Sequence, residues 1–187
     1  MNLDYAQVLE ACQRGDSQAQ EALYKEFAPV LLGMGMRYLH SREDAQDLLH
    51  DAFVKILTNI KSVKNPAVLK AWIYRIMYNR IMDHFRARRM LVYLDGENLE
   101  WHSDRNTAQE AALDMDRYKV EDVMEALKSL PVSYRTVFNM REVEDMEYEE
   151  IAKELNITEQ TARAHLSYAR RLLRQYFEEK TNKQEIS

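Results

Sequence analysis

The strongest constraint on this chain is a helical repeat that runs through most of its length. Ile73, Met77, Ile81 and Phe85 return to one side of an α-helix at about 100° per residue, and Ala162, Leu166, Ala169 and Leu173 do the same further on. Leu23, Phe27, Val30, Leu31, Met34 and Tyr38 recur at helical spacing, as do Leu48, Leu49, Phe53, Ile56 and Leu57. A β-sandwich or barrel needs frequent turns, and four glycines and three prolines in 187 residues do not supply them. The expected fold class is therefore all-α. Apolar residues make up 46% of the chain, enough for a packed core and too many for wholesale disorder.

The pattern is interrupted once. Asp95, Glu97, Glu100, Asp104, Glu110, Asp114 and Asp116 crowd residues 90–116, where Arg105 is the only Arg or Lys and periodicity fades at Asp95-Gly96-Glu97-Asn98. This reads as an acidic linker between two small helical domains, 1–89 and 117–187; by composition alone it could equally be a solvated loop without a role. In the first domain Ser41 precedes Glu43 and Asp44, as an N-cap should. A loop is expected over Lys61 to Pro66, then a helix from about Ala67 to Arg89. In the second domain Val120, Val123, Met124 and Leu127 mark a helix that ends at Leu130-Pro131. Further helices are expected from about Ser133 to Val143, Tyr148 to Leu155, and Glu159 to about Phe177. Asn156-Ile157-Thr158 would form the turn before the last helix, with Thr158 as its cap, and Thr181 to Ser187 should fray.

The net charge of −5 hides a segregation of charge along the chain. From Lys61 to Arg89 the cations are Lys61, Lys64, Lys70, Arg75, Arg80, Arg86, Arg88 and Arg89, opposed only by Asp83. Arg75, Asn79, Arg86 and Arg89 cluster opposite the apolar side of their helix. Solubility needs no such imbalance, so a polyanion is the economical partner. Trp72, Tyr74 and Tyr78 could stack on unpaired bases, although Trp72 would also serve as core. The last two helices form a helix-turn-helix pattern. Gln160, Arg163, Ser167, Arg171 and Arg174 fall opposite the apolar side of the final helix. Arg and Gln can make bidentate hydrogen bonds to purine edges in a major groove, while Arg170, Arg171 and Arg174 suit phosphates. An ordinary amphipathic surface helix would show the same sorting.

No enzyme constellation appears. The five histidines form no HExxH, and Gly33-Met34-Gly35 lacks the rest of a dinucleotide fingerprint. No P-loop is present. Cys12 is the one cysteine, which excludes a disulfide framework, fits a reducing compartment and reads as a small core residue. Glu142, Glu144, Asp145, Glu147, Glu149 and Glu150 read as a solvated acidic run. No catalytic residue, metal, cofactor or small-molecule substrate is expected. Met1-Asn2-Leu3-Asp4-Tyr5 has no basic start or apolar stretch, and no run of about 18 apolar residues exists, so a cytoplasmic protein without membrane insertion is expected.

Taken in order, these blocks resemble regions two and four of bacterial sigma factors, in the compact extracytoplasmic-function (ECF) branch of the sigma-70 family. Asp44-Ala45-Gln46-Asp47-Leu48-Leu49-His50-Asp51-Ala52-Phe53 is similar to that family's polymerase-clamp-binding helix. Ala71-Trp72-Ile73-Tyr74-Arg75-Ile76-Met77-Tyr78-Asn79, with Asp83 and Arg86, resembles its minus-ten helix. Leu130-Pro131 with Tyr134-Arg135, then Tyr148-Glu149-Glu150-Ile151-Ala152, Thr161-Ala162-Arg163-Ala164-His165-Leu166 and Ala169-Arg170, resembles its minus-thirty-five module. Gln46 and His50 stand where the family often has Glu and Gln, and His165 and Tyr168 stand where basic residues are common.

The resemblance implies a non-enzymatic factor that carries core RNA polymerase (β′ and β subunits) to promoter DNA. Asp44, Asp47, Leu48, Asp51 and Phe53 would dock on a β′ coiled coil. Lys64, Lys70, Arg75, Asn79, Arg86 and Arg89 would engage minus-ten DNA, with the Lys61–Lys70 loop capturing a flipped base. Gln160, Arg163, Ser167, Arg170, Arg171 and Arg174 would read the minus-thirty-five element. The acidic linker would run near the RNA path, and an anti-sigma protein would hold the factor in check. The rival reading is a stand-alone helix-turn-helix regulator. Such regulators usually dimerise on paired half-sites, whereas a sigma factor is expected to be a monomer when free.

Overall fold

The computed structural model describes residues 3–87 and 118–185, with side chains as far as residue 182. Arg89 and the acidic segment 90–116 lie outside the described residues. Among those described there are helices and turns but no strand, and the chain divides into two compact units, Met1–Ala87 and Arg88–Ser187.

The first unit comprises α1 (Tyr5–Gln13), α2 (Ser17–Tyr38), α3 (Arg42–Asn59), two short 3₁₀ turns (Ile60–Ser62 and Pro66–Val68) and α4 (Leu69–Ala87). Local chemistry starts each of the first three. Asp4 accepts from the Ala6 and Gln7 amides, Asp16 from Ala19, and Ser41 from Asp44 at 3.1 Å, as expected of Ser41. Gly15, at φ +88°, makes the reversal between α1 and α2. Leu23, Leu31, Met34 and Tyr38 of α2, Ile56 of α3 and Ile73, Met77, Ile81 and Phe85 of α4 are buried and form the core. Val30 was expected in the α2 stripe but points outward; Phe27 and Leu31 take the inner positions. The loop after α3 is held by α1, because the Gln13 side chain donates to the carbonyls of Ile60 (3.1 Å) and Val63 (2.8 Å).

The second unit comprises α5 (Val120–Ser129), α6 (Val132–Phe138), one π-helical turn (Asn139–Val143), α7 (Tyr148–Leu155) and α8 (Glu159–Glu185). Leu130-Pro131 separates α5 from α6 as expected. The helix expected over Ser133 to Val143 is not uniform. After Phe138 it widens, with the Glu144 amide bonded to Asn139 O at 3.0 Å, and Asp145 then reverses the chain at φ 53°. Val120 is exposed, so Ala126 and Leu127 carry the inner side of α5. α8 continues to Glu185, past the end near Phe177 expected from the sequence, while Ile186 and Ser187 lie outside the described residues. Lys180 donates to Asp122 (2.7 Å) and Glu125 (3.2 Å) of α5, and Tyr118 stacks on Phe177 with ring centres 3.7 Å apart.

Arg135 is buried inside this unit at 1% exposure. Burial pushes its guanidinium down to about 10, which leaves it charged at neutral pH. Cys12 is buried in the first unit, and burial, followed by the charge of Asp16, raises its thiol. It serves as a small core residue, as its sequence context suggests.

Candidate nucleic-acid interfaces

α4 turns one side to the core and the other to solvent. Ile73, Met77, Ile81 and Phe85 are buried, while Lys70, Arg75, Asn79 and Arg86 are exposed, as is Lys64 in the preceding loop. Arg86 pairs with Asp83 at 3.2 Å. Lys70 lies 5.9 Å from the Tyr74 ring, and Tyr74 meets Phe27 edge-on. Trp72 is neither core nor a free platform. It is half-buried and lines a cleft of about 350 Å³ with Lys55, Asn59, Ser62, Arg75, Ile76 and Asn79.

The other wall of this cleft was missed in the sequence. Lys55 and Asn59 lie one turn apart near the end of α3, and the Asn59 amide donates to Lys55 O at 2.8 Å. Ser62 in turn donates to Asn59 O at 2.8 Å. A polar end to an otherwise amphipathic helix was the available signal, but only the fold brings it opposite Arg75 and Asn79. The cleft offers an aromatic wall, cations and amides, the groups that hold an unpaired base.

The α3 residues assigned to a protein partner separate into two sets. Asp47 and Asp51 are exposed and Asp44 is half-buried. Leu48 and Phe53 face the interior of the first unit. Phe53 closes against Tyr24 with ring centres 4.6 Å apart, because α2 and α3 pack along that line. The exposed large apolar side chains on these helices are Tyr24, Val30 and Val54.

In the second unit α7 and α8 form the helix-turn-helix. Glu147 and Glu150 make a capping box at the start of α7. Asn156 makes the turn in the left-handed conformation at φ 54°. Thr158 accepts from the Thr161 amide at 3.0 Å, as its capping role requires. Ala162, Leu166, Ala169 and Leu173 are buried, as are Ile151 and Leu155. Gln160, Arg163, Ser167 and Arg171 are exposed, and Arg174 is half-buried.

Several of these cations are already engaged. Arg163 pairs with Glu159 at 3.3 Å and lies 4.0 Å over the Tyr148 ring. Arg171 lies 4.6 Å over the Tyr168 ring, which stacks on Tyr134. Arg170 is ion-paired with Glu142 of the π turn, so it is less open to phosphate than the sequence suggests. His165 is buried edge-on to Tyr134 and cannot face a ligand. The acidic run is likewise not simply solvated. Besides Glu142 and the capping pair, Arg141 meets Glu147 at 3.2 Å and Asp145 at 3.7 Å.

Among the described residues no group of His, Cys, Asp and Glu could hold a metal ion, and no helix is long and apolar enough to cross a membrane.

Residues 23–90 match the family described as Sigma-70 region 2, and residues 121–173 match Sigma-70, region 4. RNA polymerase sigma factor SigV of Bacillus subtilis is 30% identical over 141 residues, which cover 75% of this chain and 80% of that protein. The chain belongs to the sigma-70 family of RNA polymerase sigma factors. This sigma factor falls in the ECF branch. RNA polymerase sigma-H factor of Pseudomonas aeruginosa is 28% identical over 88% of this chain and 89% of its own length. ECF RNA polymerase sigma-E factor of Haemophilus influenzae is 25% identical over 89% and 91%. Such coverage extends across both units. A sigma factor, which acts in promoter-specific initiation, accounts for the whole match; a stand-alone helix-turn-helix regulator would account for its second part only.

Proposed function

We propose that this sigma factor divides promoter recognition between residues 1–89 and 117–187, with 90–116 as the acidic connection inside the polymerase. Asp47 and Asp51, with Asp44, form the acidic surface that docks on the β′ coiled coil, and buried Leu48 and Phe53 hold α3 in shape from behind. Arg75, Asn79 and Arg86 engage minus-ten DNA, with Lys64, Lys70 and Arg89 adding phosphate contacts. Gln160, Arg163 and Ser167 read bases of the minus-thirty-five element, and Arg170, Arg171 and Arg174 hold its backbone.

The observation that carries this reading is the cleft between Trp72, Arg75 and Asn79 on α4 and Lys55 and Asn59 on α3. It lies beside the exposed cationic side of α4 and is roomy enough for a single base. Extruding a base costs a few kcal/mol, and stacking with charged hydrogen bonds in the cleft offsets that cost. The protein works in the cytoplasm with its polymerase and is a monomer when free. An anti-sigma protein would silence it by covering the α3 surface, where Tyr24 and Val54 add exposed apolar area.

Run-off transcription with purified core polymerase, this chain and a promoter library tests the reading. Defined starts sharing two upstream elements are expected. Asn79→Ala should weaken dependence on the minus-ten sequence and Arg163→Ala dependence on the minus-thirty-five sequence. Absence of both starts and core binding would overturn it.

A further inference from the structure

Arg163 stands on α8 where it can reach a base edge, yet an arginine side chain carries about 2 kcal/mol of rotamer entropy that binding must remove. In the free protein much of that freedom is already restricted. The guanidinium lies 4.0 Å over the ring of Tyr148, and its nitrogen is 3.3 Å from the Glu159 carboxylate one turn earlier. Tyr148 belongs to the other helix of the motif and is itself well placed. It is the first residue of α7, enclosed by the Glu147–Glu150 capping box. Its ring also has the Arg141 guanidinium at 5.4 Å. Arg141 in turn donates to Met146 O at 2.9 Å and pairs with Glu147 at 3.2 Å. The ring is thus attached to a braced segment, and the guanidinium above it turns one nitrogen to Glu159 and keeps its other N–H donors for a further acceptor.

We infer that Tyr148 is a positioning residue for promoter specificity: its ring holds Arg163 in the orientation that reads a minus-thirty-five base pair. The inference rests on the reading of Arg163 as a base contact. The ring contact leaves guanidinium donors other than the one on Glu159 for a base edge, while the Glu159 carboxylate limits sliding across the ring. A leucine at 148 would fill space but offer no negative ring face, so Arg163 would sample rotamers that miss the base.

The test is run-off transcription by core polymerase with the full chain, on promoters in which each minus-thirty-five base pair is changed in turn. Discrimination is the ratio of rates, which a general loss of folded protein leaves unchanged. Arg163→Ala should lower discrimination at one base pair by about tenfold or more. Tyr148→Leu should lower it at the same base pair by about fivefold, the size of an exposed cation–π contact. Tyr148→Phe, which keeps the ring, should restore discrimination. Tyr148→Leu should add no further loss to Arg163→Ala, and minus-ten discrimination should stay as it is. Tyr148→Met gives the same reading if the leucine variant does not fold. The inference is overturned if Arg163→Ala flattens the profile while Tyr148→Leu and Tyr148→Met do not, or if the two losses multiply, which would make Tyr148's role independent of Arg163. An unchanged profile with Arg163→Ala itself would instead overturn the base-reading role of Arg163, and this inference with it.

Discussion

A Cβ built on Gly35 of α2 would stand 3.2 Å from the Cβ of Ala45 on α3 and 3.0 Å from the Met77 methyl on α4. Three helices converge at that point, and the α2 backbone can approach so closely only because position 35 has no side chain. Gly33, two residues earlier in the same helix, has nothing within 4 Å of such an atom. Opposite outcomes are therefore expected. Gly33→Ala should stabilise the protein by about 0.5–1 kcal/mol through helix propensity, whereas Gly35→Val should destabilise it by about 3 kcal/mol through overpacking. Urea unfolding decides between them, and equal effects at both positions would contradict the packing argument.

Gln13 provides a second long-range connection. Its amide reaches two backbone carbonyls in the turn that follows α3, and that turn carries Ser62 of the cleft. Gln13→Leu should cost about 1–2 kcal/mol, since two carbonyls lose their donor. It should also reduce the promoter's sensitivity to its minus-ten sequence, because one wall of the cleft is no longer tied down. Faster amide exchange at residues 60–63 would accompany the loss; unchanged exchange would argue against the tie.

Arg170 and Glu142 join α8 to the π turn, and both side chains are mostly covered, at 21% and 24% exposure. A double-mutant cycle with Glu142→Gln and Arg170→Met should give a coupling energy of about 1 kcal/mol, at the upper end for ion pairs that retain solvent contact. A value near zero would mean that the pair is incidental and does not compete with phosphate for Arg170.

The end of α8 should be sensitive to acid. Hydrogen bonds from Lys180, then from Tyr176, and then the Lys180 charge hold the Glu125 carboxyl below its ordinary value of 4.5. A lowered acid contributes stability that is present above 4.5 and lost as pH falls through the lowered folded value. Lys180 is shifted upward, chiefly by its hydrogen bond to Asp122, so its share is present below 10.5 and lost only under strong alkali. Amide resonances of residues 176–181 should therefore stay constant near neutrality and move with a midpoint below 4.5. Lys180→Met should raise that midpoint toward the ordinary value. A wild-type midpoint at or above 4.5 would contradict the ion-paired geometry.

Much of this architecture was legible before any coordinates, for a local reason. A helix repeats over a few residues and its cap lies within three of its first turn, so Ser41, Thr158 and the Ala162–Leu173 stripe could be read from neighbours alone. The same signals stop at the side chain's destination. Period places Phe53 on a face of α3 but cannot say whether that face meets Tyr24 or a partner protein, and it does not separate outward Val30 from inward Leu31. The sequence places Arg135, Arg170 and Tyr148 in the minus-thirty-five module, and only packing buries the first, pairs the second with Glu142 and sets the third under Arg163.

The sequence by itself determined the all-α class, the helix order, the cationic sides of α4 and α8, and the order of motifs that identifies a sigma factor. All of these depend on residues close in the chain or on the succession of such groups. Tertiary structure alone decided the cleft, which joins Lys55 and Asn59 to Trp72, Arg75 and Asn79, the tie from Gln13 to residues 60 and 63, and the orientation of Arg163. Those depend on how helices cross, and the crossings follow from the shapes of many buried side chains at once, such as the missing Cβ at Gly35.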